Sequence, residues 1–252
     1  MSMTDYDCLW GPPANANLLH NDVHIWCAWL DQSISTLEWL TQTLSMDERM
    51  RAERFQFEQD RQRFIIGRGL LRTILGYYLG IEPGQLDFCY GSYGKPALAE
   101  MHGPSTLRFS LTHAHGLALY AVTRDRELGV DLEHIRHIAE TEQIVDRYFS
   151  DREKAAFRAL TADKKQGAFF TYWTCKEAYL KASGEGLIRP LNQIDVSLIP
   201  GEPARLLGVD GDVNEASRWT FQELRPVPGF VAALVVEGQD WRLSCWNWPL
   251  VN

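Results

Sequence analysis

Hydrophobic periodicity takes the chain through one order of elements twice: strand, helices, strands, and then strand, helices, strands again, the second round opening near Glu127. The first round runs from a strand over 22–30 through helices over 33–44, 46–57 and 60–79 to strands at 106–112 and 117–123. In the third helix Ile66, Leu70, Leu71, Ile74, Leu75 and Tyr78 recur at helical spacing, and the pattern closes at Gly80 with Pro83 beyond. The second round opens with a strand at 127–133. Ser150-Asp151-Arg152-Glu153 has the form of a capping box, so a helix begins there and runs toward Leu160. Another spans 163–183 and is broken by Gly184 and Gly186, and strands at 194–199, 219–224, 230–236 and 241–246 complete the round. This order predicts an α+β protein of two similar halves related by a pseudo-twofold duplication, 1–125 and 126–252. No residue-level identity links the halves, so the duplication rests on element order.

Composition narrows the class. With 33 acidic against 25 basic residues the formal charge is −8, which argues against general binding of nucleic acid or anionic membranes. The charge is uneven, however: Arg49, Arg51, Arg54, Arg61, Arg63, Arg68 and Arg72 form a basic stretch suited to a solvated helix face, to phosphates or to an acidic partner. No apolar run approaches the length that spans a bilayer, and the N-terminus lacks a basic region followed by an apolar one, so a cytoplasmic protein with no membrane segment is expected. The 5 cysteines are scattered and never spaced C-x-x-C, which suggests reduced thiols and neither a disulfide framework nor a zinc site.

Four segments carry candidate chemistry. In Gly129-Val130-Asp131-Leu132-Glu133, Asp131 and Glu133 stand at i and i+2 of a strand and point to one face, where two carboxylates converge as magnesium prefers. A polar outer strand face has the same pattern. In Trp173-Thr174-Cys175-Lys176-Glu177-Ala178-Tyr179-Leu180-Lys181, Glu177 and Lys181 are four apart on a helix, as in a surface ion pair. Yet Phe169, Phe170, Tyr172, Trp173, Tyr179 and Leu180 leave little of that helix exposed, and charges on an apolar helix call for a partner. Phe109-Ser110-Leu111-Thr112-His113-Ala114-His115-Gly116 runs a strand into a turn, with no third zinc ligand near its histidines. Gly91-Ser92-Tyr93-Gly94-Lys95-Pro96 is a turn with Lys95 as a phosphate-reaching cation at its tip.

Taken in order, these motifs resemble the 4′-phosphopantetheinyl transferases of the long, Sfp-like class. The match comprises Gly-Lys-Pro at 94–96, Phe-Ser-Leu-Thr-His at 109–113, Gly-Val-Asp-Leu-Glu at 129–133, Trp-Thr-Cys-Lys-Glu-Ala-Tyr-Leu-Lys at 173–181 and Gly-Glu-Gly-Leu at 184–187. The resemblance implies two similar α+β halves with the cofactor between them. Asp131, Glu133 and Glu177 are the implied magnesium ligands, with manganese as an alternative, joined by the pyrophosphate of coenzyme A as donor. Lys176 and Lys181 are expected beside phosphates, Lys95 and His113 at the nucleotide end, and Arg63 at the adenosine 3′-phosphate. Thr112 stands where serine is common in the family, Ala114 where another serine is frequent, and arginines replace lysines before Arg63.

The implied reaction is attack of a carrier serine on the β-phosphorus of coenzyme A, giving a holo acyl or peptidyl carrier protein and 3′,5′-adenosine bisphosphate. Glu177 is the expected base and Lys181 the group that stabilises the leaving phosphate. Two other readings use the same residues: a magnesium-dependent phosphohydrolase or nucleotidyl transferase, and a non-catalytic module binding coenzyme A or a carrier. Two fused halves complete a site within one chain, so a monomer is expected.

Overall fold

Each half is built around one long helix packed on one face of an antiparallel sheet. The computed structural model describes residues 17–91, 93–99, 106–186, 189–197, 202 and 204–248. In the first half, β1 (Asp22–Trp29) leads through α1 (Ile34–Thr43), α2 (Met46–Ala52) and α3 (Glu58–Leu79) to a small hairpin, β2 (Phe88–Tyr90) and β3 (Pro96–Leu98), then to β4 (Leu107–Ala114) and β5 (Leu117–Arg124). In the second half, β6 (Leu128–His134) leads through α4 (Thr141–Tyr148), α5 (Asp151–Arg158) and α6 (Ala162–Ser183) to another small hairpin, β7 (Ile194–Ser197) and β8 (Arg205–Val209). The short α7 (Val213–Ser217), β9 (Trp219–Leu224) and β10 (Phe230–Glu237) follow.

The duplication expected from element order is present in the topology. The two sheets share the patterns β1-β5-β4 and β6-β10-β9, in each of which the strand opening the round pairs with a central strand that comes late in it, β5 or β10. α3 and α6 are both 22 residues long and both end on a left-handed glycine, Gly80 and Gly184. β11 (Arg242–Asn247) breaks the symmetry by returning to the first sheet, parallel to β1, with Asp22 opposite Arg242 and Cys27 opposite Asn247. The second round therefore does not keep its last strand to itself.

Strand alternation sorts the core into layers. Val23, Ile25, Leu119 and Ala121 of the first sheet meet Leu128, Val130, Leu132 and Leu234 of the second. On the outer faces Trp26, Ala28 and Tyr120 pack on Leu70, Leu71 and Ile74 of α3, and Val231, Ala233 and Val235 pack on Phe170, Ala178 and Ala182 of α6. The order is helix, sheet, sheet, helix, so both sheet faces are covered and their strands read as apolar runs.

Local signals hold where the chemistry is short-range. At the predicted capping box, Glu153 N donates to Ser150 Oγ at 3.2 Å and Ser150 N donates to Glu153 Oε2 at 2.8 Å. The second helix, expected to 57, ends at Ala52, and α4, α7, the first hairpin and β8 add elements the periodicity did not mark. Cys27, Cys89 and Cys175 are free, but Cys245 is disulfide-bonded, which corrects the expectation of reduced thiols at that position. Among the described residues no helix is long and apolar enough to cross a membrane. Ser92, Leu187 and the strand end at 198–199 lie outside the described residues.

Candidate active site

β6 and α6 meet at backbone distance because position 129 is glycine. A Cβ there would overlap the Ala178 carbonyl oxygen and the Ala182 nitrogen and lie 3.0 Å from the Lys181 carbonyl carbon. Period-two alternation puts Asp131 and Glu133 on the strand face that carries Gly129, the face turned to α6. Glu177 and Lys181, one turn apart, thus join the strand carboxylates in one charged cluster.

Asp131 is the centre of that cluster. Its side chain is 10% exposed and its Oδ1 accepts from Lys181 Nζ at 2.7 Å and from Thr112 Oγ1 at 3.2 Å. Lys181 Nζ also donates to Val130 O at 3.2 Å. Burial pushes the Asp131 carboxyl up from its usual range, and the Lys181 charge opposes the shift. Glu177 is raised as well, first by burial, then by the Asp131 charge, with Lys181 again opposing and the Glu133 charge adding a smaller push. Glu133 itself, 24% exposed, sits 2.9 Å from Arg136 Nη1. Three carboxylates within electrostatic reach of one another, with no sulfur or imidazole among them, are an oxygen donor set of the kind a hard divalent cation takes. Among the described residues no three such side chains stand together as a ready-made metal cluster. Asp131 is instead paired with Lys181 and Glu133 with Arg136.

The cluster borders a cavity of about 870 Å³ lined from both halves: Arg63 and Arg68 of α3, Ser110 to His113 of β4, Tyr93 to Pro96, and Glu177 and Lys181 of α6. Arg63 is held by Asp31, Nε to Oδ1 at 2.8 Å and Nη2 to Oδ2 at 2.7 Å. His113 lines the same cavity, and burial, followed by the charges of Lys181 and Arg63, holds its pKa below the ordinary histidine value. Lys95 Nζ donates to Leu128 O at 3.3 Å and lies 3.5 Å from Glu127, with burial lowering its pKa.

Lys176 is the exception among the expected site residues, and its role is corrected. It is 0% exposed, and its ammonium is enclosed by Glu153 Oε2 at 2.7 Å, Leu191 O at 2.7 Å and Ile194 O. All of these partners belong to the second half's interior, so the Lys176 charge is spent on holding α5, α6 and the start of β7 together. Asp31 and Thr112 are polar groups that motif reasoning gave no role, and Glu153 was marked only as a capping residue, with no sign of its pairing with Lys176. Thr112 was visible only as a departure from serine, and nothing in the sequence around Asp31 marks it.

Two family models match the chain: the 4′-phosphopantetheinyl transferase superfamily over residues 127–236 and the 4′-phosphopantetheinyl transferase N-terminal region over 28–124. The chain is 46% identical over 240 residues to the 4′-phosphopantetheinyl transferase HetI of Nostoc sp., covering 95% of this chain and 98% of that protein. It is 26% identical over 155 residues to the 4′-phosphopantetheinyl transferase Sfp of Bacillus subtilis, covering 62% and 66%. Among solved structures, the holo-[acyl-carrier-protein] synthase of Thermotoga maritima aligns with a TM-score of 0.37 at 21% identity, over 46% of this chain and 64% of that one.

Proposed function

Because this chain belongs to the long, Sfp-like class of 4′-phosphopantetheinyl transferases, we propose that its cavity holds coenzyme A between the halves 1–125 and 126–252. The enzyme moves the phosphopantetheine arm of coenzyme A onto a serine of an apo carrier protein and releases 3′,5′-adenosine bisphosphate. The acceptor in this reading is an acyl or a peptidyl carrier protein. The observation that carries it is the junction of Asp131, Glu177 and Lys181 at a cavity walled by both halves. That one chain supplies both walls supports a monomer, and we assign it to the cytoplasm.

Asp131, Glu133 and Glu177 would hold a magnesium ion, or manganese in its place, which when bound neutralises charge on the phosphate oxygens. The chain's own groups do the rest. Arg63, its fork aimed by Asp31, takes the adenosine 3′-phosphate, while His113 and Lys95 flank the nucleotide end. Lys181 stands at the diphosphate and stabilises the departing phosphate. Glu177 accepts the proton of the carrier serine, whose hydroxyl is a poor nucleophile until it is removed. Positioning of serine against phosphorus supplies much of the acceleration, as in other phosphoryl transfers. A hydrolase or nucleotidyl transferase has no use for a carrier, and a binding module has no use for a base beside a cation site.

Intact-mass analysis of an apo carrier incubated with the protein, coenzyme A and magnesium tests the proposal. One added phosphopantetheine arm, absent with EDTA and absent on a carrier whose acceptor serine is alanine, is the expected result. No added mass on acyl or peptidyl carriers would overturn it.

A further inference from the structure

Lys181 is placed to serve two anions in turn. Its ammonium lies 2.7 Å from Asp131 Oδ1, on the same oxygen that Thr112 takes, while the side chain is 32% exposed and lines the cavity. It therefore stands on the boundary between a buried carboxylate and the space proposed for the diphosphate, on a stem flexible enough to turn from one to the other. Arg63, Arg68 and Lys95 line the same cavity as Lys181, beside Asp60 and Glu177, so cations that can receive a phosphate stand on the cavity side of the cluster. A divalent cation taking Asp131 would meet the Lys181 ammonium at contact distance in a poorly solvated place, where like charges repel strongly.

We propose that Lys181 couples metal loading to coenzyme A binding: it holds Asp131 until a phosphate anion draws its ammonium into the cavity, so that metal ion and coenzyme A each raise the other's affinity. This rests on the metal and coenzyme A sites assigned above. The two affinities are reciprocal by linkage. Direct bonding between a divalent ion and the diphosphate also contributes to such coupling. Lys181's share is the part that disappears when its charge is removed while Asp131 remains.

The test is Mn²⁺ titration followed by electron paramagnetic resonance on wild type, Lys181→Met, Lys181→Gln and Asp131→Asn, with and without coenzyme A and with no carrier present, so nothing turns over. Without coenzyme A, Lys181→Met and Lys181→Gln are expected to bind Mn²⁺ roughly tenfold more tightly than wild type. Coenzyme A should then tighten Mn²⁺ binding more in wild type than in either variant. Lys181→Gln keeps a hydrogen-bond donor for Val130 O and carries the comparison if Lys181→Met does not fold. Mn²⁺ binding that depends on Asp131 but is no tighter in the Lys181 variants overturns this inference and leaves the metal site standing. Binding indifferent to Asp131→Asn overturns the metal site itself.

Discussion

Removing the Lys176 ammonium would leave Glu153 without a counter-charge in a place water does not reach. Both side chains are 0% exposed, and the pair is closed at 2.7 Å. Breaking one side of a buried pair typically costs about 3–5 kcal/mol, because the survivor's desolvation is no longer offset. Lys176→Met should fall near the middle, about 4 kcal/mol. Glu153 retains Ser150 N at 2.8 Å and Val196 N at 2.9 Å as donors, while the carbonyls of Leu191 and Ile194 lose theirs. Glu153→Gln should cost less, about 3 kcal/mol, since the ammonium keeps two carbonyl acceptors. In Lys176→Met/Glu153→Gln the charge is gone from both sides, and the amide oxygen accepts from only one of the two backbone donors, which bond different oxygens of Glu153, a loss the single Glu153→Gln variant already carries. The double variant should therefore be more stable than the sum of the single effects by about 2 kcal/mol.

The assay is urea unfolding of the four proteins, with thermal melts beside it. For a chain of this size about 4 kcal/mol corresponds to roughly a 10 °C fall in Tm. Coenzyme A binding, measured by calorimetry well below the transition, should change little in any of the variants. A Lys176→Met protein that melts like wild type and has lost coenzyme A affinity would refute the reasoning and return Lys176 to the phosphates.

Three further outcomes follow from the same geometry. Gly129→Ala should destabilise by about 3 kcal/mol, because α6 must move off β6 to admit one methyl, and carrier loading should drop with it; unchanged melting would show that the backbones are not held so closely. Glu177→Gln should lower kcat about 100-fold or more while coenzyme A still binds, and a variant retaining a tenth of the wild-type rate would remove Glu177 as the base. His24, buried against Tyr78 and Trp246, has its pKa lowered by burial from 6.5 to about 4. Its contribution is full above pH 6.5 and is lost as pH falls toward 4, up to roughly 3 kcal/mol, so the wild-type urea midpoint should fall more steeply over that range than that of His24→Gln.

Much of the frame and most of the cluster were legible because they depend on short-range order. The spacing of Ile66, Leu70 and Ile74 marks the buried face of α3, and the i,i+2 and i,i+4 spacings of Asp131, Glu133, Glu177 and Lys181 describe faces of one strand and one helix. What they do not describe is which way a face turns. Lys176 and Glu177 are neighbours in sequence, but successive residues of a helix diverge by about 100°, so one reaches the cavity and the other the interior. Long-range pairings were equally hidden: Asp31 with Arg63, and β11 with β1, depend on where the chain returns.

The duplicated frame also shows how one site arises from two similar halves. In both, a polar side chain on the strand that opens the round bonds a residue near the C-terminal end of the long helix. In the second half the pair is Asp131 with Lys181. In the first it is His24 with Tyr78, whose hydroxyl also accepts from Trp26 Nε1 at 2.9 Å. The pairing is shared, but the packing and the chemistry are not: β6 meets α6 at backbone distance, whereas β1 meets α3 through its side chains. Around His24 the space is filled by aromatic rings, including Trp246 from β11 at 4.3 Å between centroids, and burial keeps the imidazole neutral. Around Asp131 the neighbours Thr112, Glu177 and Lys181 reach the cavity, and small residues, Gly129 and Ala178, let charges meet. The returning strand β11, which has no counterpart on the second sheet, closes the first junction and leaves the second free to bind.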